Sequence, residues 1–164
     1  MKRTVALAIL AALLLTLCAC GKVRQAEEAI DAIRRKVTDA LTGFEGKGLS
    51  ISIRNGNVYV SMDDKLLFRS GSFEIDPNGA RAVRDLSEVL AQNPDINVMV
   101  EGHTDDVPYR SNGQLKDNLD LSAKRATTVV RLLLENKQIA PSRIIAAGRG
   151  ESLPVDPAKT SEAR

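Results

Sequence analysis

The stretch NLDLSAKRATTVVRLLL, from Asn118 to Leu134, has the apolar spacing of an amphipathic helix. At about 100° per residue, Leu121, Val129 and Leu132 lie on one side of this helix, and Arg125 lies between them. A buried charge without a partner is strongly unfavourable, so we expect a carboxylate to approach Arg125.

Strands and helices alternate around this helix. Residues 49–62, LSISIRNGNVYVSM, alternate about Asn55-Gly56 and predict a hairpin, because this pair accepts the positive φ angles of a tight turn. DPNGARAVRDLSEVLAQNP predicts a helix with Pro77 in its first turn, and INVMVEG predicts a strand that ends at Gly102. APSRIIAAGRGE predicts another short strand. This order predicts an α/β (α+β) sandwich, in which helices pack on one side of a mixed sheet.

The first twenty residues are typical of a bacterial export signal. Two basic residues precede an apolar run from Val5 to Leu17, and LCAC at 17–20 resembles a lipobox. The run of roughly 15 apolar residues is short for a membrane span, which needs about 20. We expect residues 1–19 to be removed and Cys20 to receive lipid. The alternatives are a plain secretory signal and a metal-binding CxC pair, which lacks a nearby His or further Cys.

Residues 20–45 predict a helical tether. Apolar residues recur at spacings of three and four, at Val23, Ala26, Ile30, Ile33, Val37 and Ala40. This seam is compatible with a short coiled coil that self-associates, with a helix packed on the domain, or with a simple tether. GFEGKG at 43–48 then supplies a hinge before a domain over residues 46–164.

Composition argues against several classes of ligand. The chain has 23 basic and 21 acidic residues, and removing Lys2 and Arg3 with the leader leaves 21 of each, so nucleic acid is not an expected partner. Aromatic residues make up 3% and Trp is absent, so an aromatic platform for bases or sugars is not expected. We predict no metal and no cofactor.

Acidic residues follow the strand that ends at Gly102. Asp105 and Asp106 are the expected partners of Arg125, since consecutive elements usually lie side by side. Such a contact is either a structural ion pair or part of a receptor. His103 is the sole histidine, and we expect it to be structural.

Three segments in order resemble the peptidoglycan-binding domain of the OmpA family, which Pal lipoproteins and the MotB stator protein share. They are GHTDD at 102–106, NLDLSAKRATTVV at 118–130 and RIIAAGRGE at 143–151. The family pattern TD…N-x-x-L-S-x-x-R-A-x-x-V is matched at Thr104, Asp105, Asn118, Leu121, Ser122, Arg125, Ala126 and Val129. The resemblance covers residues 64–164, and the loop around Pro108 and Tyr109 has a length closer to MotB than to Pal.

The resemblance implies a pocket for the diaminopimelate of the wall stem peptide. Asp105 would bind the ligand's ammonium, and the planar fork of Arg125 would bind a carboxylate. Asn118 is an expected N-cap of the helix. Thr104, Leu121 and Ser122 would line the pocket, or else act only in packing and local capping.

The function implied is a noncatalytic tether, with a lipid on Cys20 in the outer membrane and the domain on peptidoglycan in the periplasm. Gly21 after the modified cysteine fits outer-membrane sorting. The family continues beyond the equivalent of TSEAR into another strand, so we expect the last strand of the sheet to be missing from this chain.

Two alternatives remain open. A MotB-like stator component would keep an uncleaved membrane helix with an ionisable residue, whereas Thr4 to Ala19 contains none. A peptidoglycan hydrolase would use Asp105 or Asp106 with Glu101 as an acid and base pair. Glu101 and Asp105 share one short stretch, and no aromatic sugar cleft is evident.

Overall fold

A computed structural model describes residues 2–44, 47–69, 72–110 and 113–152, with side chains from Lys22 onward. The chain divides into two compact units, one of Met1–Asp39 with Ile51–Val60 and one of Ala40–Ser50 with Ser61–Arg164. The helices and strands are α1 (Lys2–Leu41), β1 (Leu49–Arg54), β2 (Asn57–Met62), α2 (Asp64–Leu67), α3 (Pro77–Ala91), β3 (Val98–Gly102), α4 (Asn118–Leu133) and β4 (Ile144–Gly148). The alternation of helices with short strands, preceded by an N-terminal helix, confirms the predicted fold class.

The first unit contains most of α1 and of the β1–β2 hairpin. Asn55 and Gly56 have φ angles of 50° and 74°, which confirms the predicted tight turn. The apolar seam of α1 is buried unevenly: Val23 is 59% exposed, whereas Val37 is 4% exposed. In the part of the chain that the structure describes, no helix combines the length and the apolar character that crossing a bilayer requires.

The second unit contains a parallel strand pair covered by helices on one side. β3 and β4 pair in parallel, from Val98 opposite Ile144 to Gly102 opposite Gly148. α4 packs on both strands, and α3 packs on α4. The core side chains are Val83, Leu90, Leu132, Leu133 and Ile139. On the side away from this core, Met99 and Ile145 are 56% and 58% exposed, so the helices lie on one side as predicted.

The strands within the described ranges form two sheets of two strands each, β1–β2 and β3–β4. The predicted mixed sheet is therefore observed as two separate sheets, an antiparallel hairpin and a parallel pair. A two-residue turn can connect only antiparallel strands, and the parallel pair requires the long crossover through α4.

Two glycines allow α4 to lie directly against the strand ends. A Cβ atom on Gly102 would stand 2.1 Å from the carbonyl oxygen of Ser122, and a Cβ on Gly148 would stand 2.8 Å from the Cβ of Ala123. Any larger side chain would displace the helix. The first half of α4 is thereby fixed over the carboxyl ends of β3 and β4.

Arg143, just before β4, holds the end of α3. Its Nε donates to the carbonyl of Ile96 at 2.9 Å, and its Nη2 donates to those of Leu90 at 3.2 Å and Asn93 at 2.7 Å. Arg143 thus connects the last turn of α3 and the loop that follows it to the start of β4.

Candidate functional site

Arg125 lies in the middle of α4 and is 6% exposed, as the sequence predicts. Its Nε donates to the carbonyl of Ser72 at 2.8 Å. Its two terminal nitrogens contact both carboxylate oxygens of Asp64, Nη1 with Oδ1 at 2.8 Å and Nη2 with Oδ2 at 3.1 Å. The guanidinium carbon also lies 4.9 Å from the centre of the Phe68 ring. The planar fork of Arg125 is therefore fully engaged by its own chain.

The carboxylate against Arg125 is not the one that the sequence predicts. We expected Asp105 or Asp106 in this place, and the structure puts Asp64 there instead. Asp64 lies 61 residues before Arg125, so no local spacing connects the two. Sequence reasoning also missed Phe68. A usable signal was present, since Asp64 and Phe68 are four residues apart, a spacing that brings side chains together on a helical turn.

Two opposing effects act on the Asp64 carboxyl. Partial burial raises the pKa of Asp64 above its ordinary value, and this outweighs the attraction of Arg125, which lowers it. The negative charge of Asp105 raises the pKa of Asp64 further. Asp105 is thus close enough to Asp64 to repel it, and both acids belong to the same charged region.

Asn118 holds the loop that carries Asp105. It is the first residue of α4, it is 6% exposed, and its amide donates to the carbonyls of Val107 at 3.0 Å and Asp105 at 3.4 Å. The Oδ1 of Asp105 accepts from the backbone N–H of Val107 at 3.2 Å. The prediction that Asn118 is the N-cap is wrong, because Asp117 occupies that position and its side chain accepts from the N–H of Asp120 at 2.9 Å.

Ser122 connects α4 to the loop after β4. It is 0% exposed, donates to the carbonyl of Leu119 at 2.9 Å, and accepts from the N–H of Gly150 at 2.9 Å. The carbonyl of Gly150 in turn accepts from the N–H of Thr104 at 3.0 Å. Leu121 is buried at 5% exposure. Ser122 therefore connects α4 to the two loops, and Leu121 is part of the buried core.

Thr104 has one unusual feature. Its Oγ1 is buried and has no hydrogen-bond partner within the described ranges. A buried hydroxyl of this kind is costly to leave unpaired, and such groups are rare in folded proteins.

Glu101 on β3 lies between the side chains of Arg149 and His103. Arg149 Nε donates to its Oε1 at 3.0 Å, and His103 Nε2 lies 3.7 Å from its Oε2. Among the residues that the structure describes, no three His, Cys, Asp or Glu side chains gather in a way that could hold a metal ion.

An open groove lies along α4, against Ala123, Lys124 and Thr127. Phe73 and Lys124, the chain neighbours of Ser72 and Arg125, line this groove of about 620 Å³ together with Leu115 and Thr127. Lys124 Nζ lies 5.2 Å from the centre of the Phe73 ring.

Two known proteins of the bacterial cell envelope or motility apparatus are similar in sequence to this chain. Motility protein B from Bacillus subtilis (strain 168) is 31% identical over 116 residues, which cover 71% of this chain and 44% of that protein. The peptidoglycan-associated lipoprotein of Buchnera aphidicola subsp. Baizongia pistaciae (strain Bp) is 32% identical over 90 residues, which cover 55% of this chain and 49% of that protein. This chain thus spans less than half the length of either relative.

A solved structure and a family model agree with these relatives. The crystal structure of a MotB-like protein from Desulfovibrio vulgaris is similar with a TM-score of 0.76 at 28% identity, covering 86% of this chain and 87% of that one. The model described as OmpA family matches residues 67–164, which include β3, α4 and β4. Since this match extends over more than half of the sequence, the chain belongs to the OmpA family.

Proposed function

We propose that this protein is a noncatalytic outer-membrane lipoprotein that binds peptidoglycan through the diaminopimelate of the stem peptide. It thereby tethers the outer membrane to the cell wall. The observation that carries the proposal is the position of Arg125, whose guanidinium is held inside an OmpA-family domain. It pairs with Asp64, and the negative charge of Asp105 acts on this carboxylate.

The charges of this cluster suit a zwitterionic amino acid. The Arg125 fork matches a carboxylate in two-point geometry, and Asp105 offers a negative charge to an ammonium group. Each charge-assisted bond contributes about 1.5 to 3 kcal/mol. Asn118, Thr104, Leu121 and Ser122 complete the proposed site, chiefly by fixing the two loops beside α4.

A binding role is favoured over a hydrolytic one. A hydrolase would need Glu101 as a free acid or base, whereas Arg149 and His103 flank this carboxylate. The names of the two relatives denote a motility protein and a peptidoglycan-associated lipoprotein. We therefore assign no catalytic residue.

The proposed location is the periplasmic face of the outer membrane, with a lipid on Cys20. The lipoprotein among the relatives supports this anchor. The second candidate is a stator-type component that keeps an uncleaved N-terminal membrane helix, which the likeness to Motility protein B favours. Both candidates place the domain in the periplasm against the wall.

Cosedimentation with diaminopimelate-containing wall sacculi tests the binding function. We expect Asp105→Ala and Arg125→Ala to lower the bound fraction at least about tenfold, which corresponds to the loss of one charge-assisted bond. Because Arg125 is buried, Arg125→Lys is included: it keeps the charge and loses the planar fork, and should also bind weakly.

Exposed positions provide the controls. Asp95→Asn removes an exposed acid before β3, and Arg131→Ala removes an exposed cation from α4, so both should sediment like the wild type. Circular dichroism verifies that each variant is folded. Folded Asp105 and Arg125 variants that bind sacculi normally would remove the site assignment.

A further inference from the structure

We propose that Asp64 is an internal competitor for the carboxylate of the ligand. In this mechanism Asp64 occupies the fork of Arg125 in the free protein, and a carboxylate of the wall peptide displaces it on binding. The inference rests on the proposed function, and it assigns Asp64 as a residue that sets affinity and favours ligands bearing a carboxylate.

The geometry makes the two carboxylates mutually exclusive. The Arg125 side chain is 7% exposed, and both of its terminal nitrogens face the oxygens of Asp64 at 2.8 and 3.1 Å. Its Nε is already used by the Ser72 carbonyl. A ligand carboxylate can therefore make the two-point contact only by replacing Asp64.

The structure also favours the exchange. The Asp64 side chain is 47% exposed, so it can turn towards water while Arg125 stays buried. It is the first residue of the four-residue helix α2, and its side chain lies outside the buried core. Burial and the charge of Asp105 both raise the pKa of Asp64. The attraction of Arg125 therefore does not fully offset the cost of keeping the Asp64 carboxylate ionised beside it.

Arg125 remains oriented when Asp64 leaves. The Ser72 carbonyl fixes Nε, and the Phe68 ring packs against the guanidinium at 4.9 Å. Neither contact involves the side chain of Asp64. The ligand therefore binds a guanidinium that is already oriented. Its apparent affinity is lower than its intrinsic affinity, because Asp64 occupies the fork in a fraction of the molecules.

Calorimetric titration of the full mature chain with free meso-diaminopimelate tests this mechanism. We expect Asp64→Asn to bind diaminopimelate roughly tenfold more tightly than the wild type does. A neutral amide binds the Arg125 guanidinium weakly, so a larger fraction of molecules has a free fork. Asp63→Asn makes the same charge change one residue earlier and should change affinity less than about twofold. Asp105→Asn should lose binding.

A second ligand isolates the carboxylate. 1,5-Diaminopentane carries two ammonium groups and no carboxylate, so Asp64→Asn should not bind it more tightly than the wild type does. If Asp64→Asn is too unstable for calorimetry, Asp64→Ser and the ligand-induced rise in Tm replace it, and the rise should exceed that of the wild type.

The possible failures are distinguishable. Folded Asp64 variants that bind diaminopimelate no more tightly than the wild type, while Asp105→Asn still loses binding, overturn the competitor role and leave the wall-binding function standing. Tighter binding of 1,5-diaminopentane by the same variants also overturns it. A wild type that does not bind diaminopimelate, with Asp105→Asn indistinguishable from it, overturns the proposed function itself.

Discussion

At the scale of single residues, the sequence predicts that Arg125 is buried but does not identify its partner. The helical period places Arg125 among apolar side chains, and the structure confirms that position. The identity of the partner depends on a contact between residues 61 positions apart, which a local pattern does not encode. The same distinction applies to Asn118, whose burial and bonds to the loop carbonyls depend on tertiary packing.

Arg143 provides a prediction at this scale. Arg143→Met keeps much of the side-chain volume but removes the three hydrogen bonds to the carbonyls of Leu90, Asn93 and Ile96. We expect the free energy of unfolding to fall by about 2 kcal/mol, measured by urea titration. Arg84→Met is the control: its ion pair with Glu135 spans 3.6 Å between exposed side chains, and its loss should cost less than about 1 kcal/mol. Equal losses in the two variants would show that the three hydrogen bonds of Arg143 do not stabilise the fold more than an exposed ion pair does.

At the scale of elements, local patterns predicted the hairpin, the two helices of the domain and the strands β3 and β4, but not the parallel pairing of these strands. They succeeded because turn chemistry, proline position and apolar periodicity are short-range signals. The boundary of α4 was one residue off, since Asp117 and Asn118 are both good capping residues and only packing decides between them. The division into two sheets also depends on long-range pairing.

The contact between β3 and α4 gives a second prediction. In Gly102→Ala the new methyl group would stand 2.1 Å from the Ser122 carbonyl oxygen, so helix and strand must separate. We expect a loss of about 3 kcal/mol in unfolding free energy, measured by thermal and urea denaturation. Gly43→Ala is the matched control, because a Cβ there meets nothing within 4 Å. A Gly102→Ala protein as stable as the wild type would show that the approach of α4 is looser than described.

At the scale of the whole molecule, a domain linked to an N-terminal helix was predicted, and membership of the OmpA family accounts for the order of motifs from Gly102 to Glu151. The sequence resemblance supplied what periodicity could not, namely a ligand class. The predicted leader, cleavage site and lipid on Cys20 remain predictions. These three features distinguish an outer-membrane lipid anchor from an uncleaved membrane helix.

The anchor is tested by mass spectrometry of the mature N-terminus and by membrane fractionation. We expect a lipid-modified N-terminal peptide that begins at Cys20, and we expect Cys20→Ser to leave the membrane fraction, because acyl chains contribute about 0.8 kcal/mol per buried CH₂. Cys18→Ser should fractionate like the wild type, since Cys18 would depart with the leader. An intact N-terminus at Met1 would favour the stator-type candidate.

The parallel direction of β3 and β4 has a consequence for how such domains diversify. Both strands end at the same edge, so the loop with Asp105 and the segment with Gly150 leave the sheet together. Insertions at the exposed residues 106–108 of the Asp105 loop lengthen only a surface connection, whose entropic cost grows slowly with length. New wall chemistries or docking proteins can therefore be acquired by loop variation while the buried residues of α4 stay unchanged.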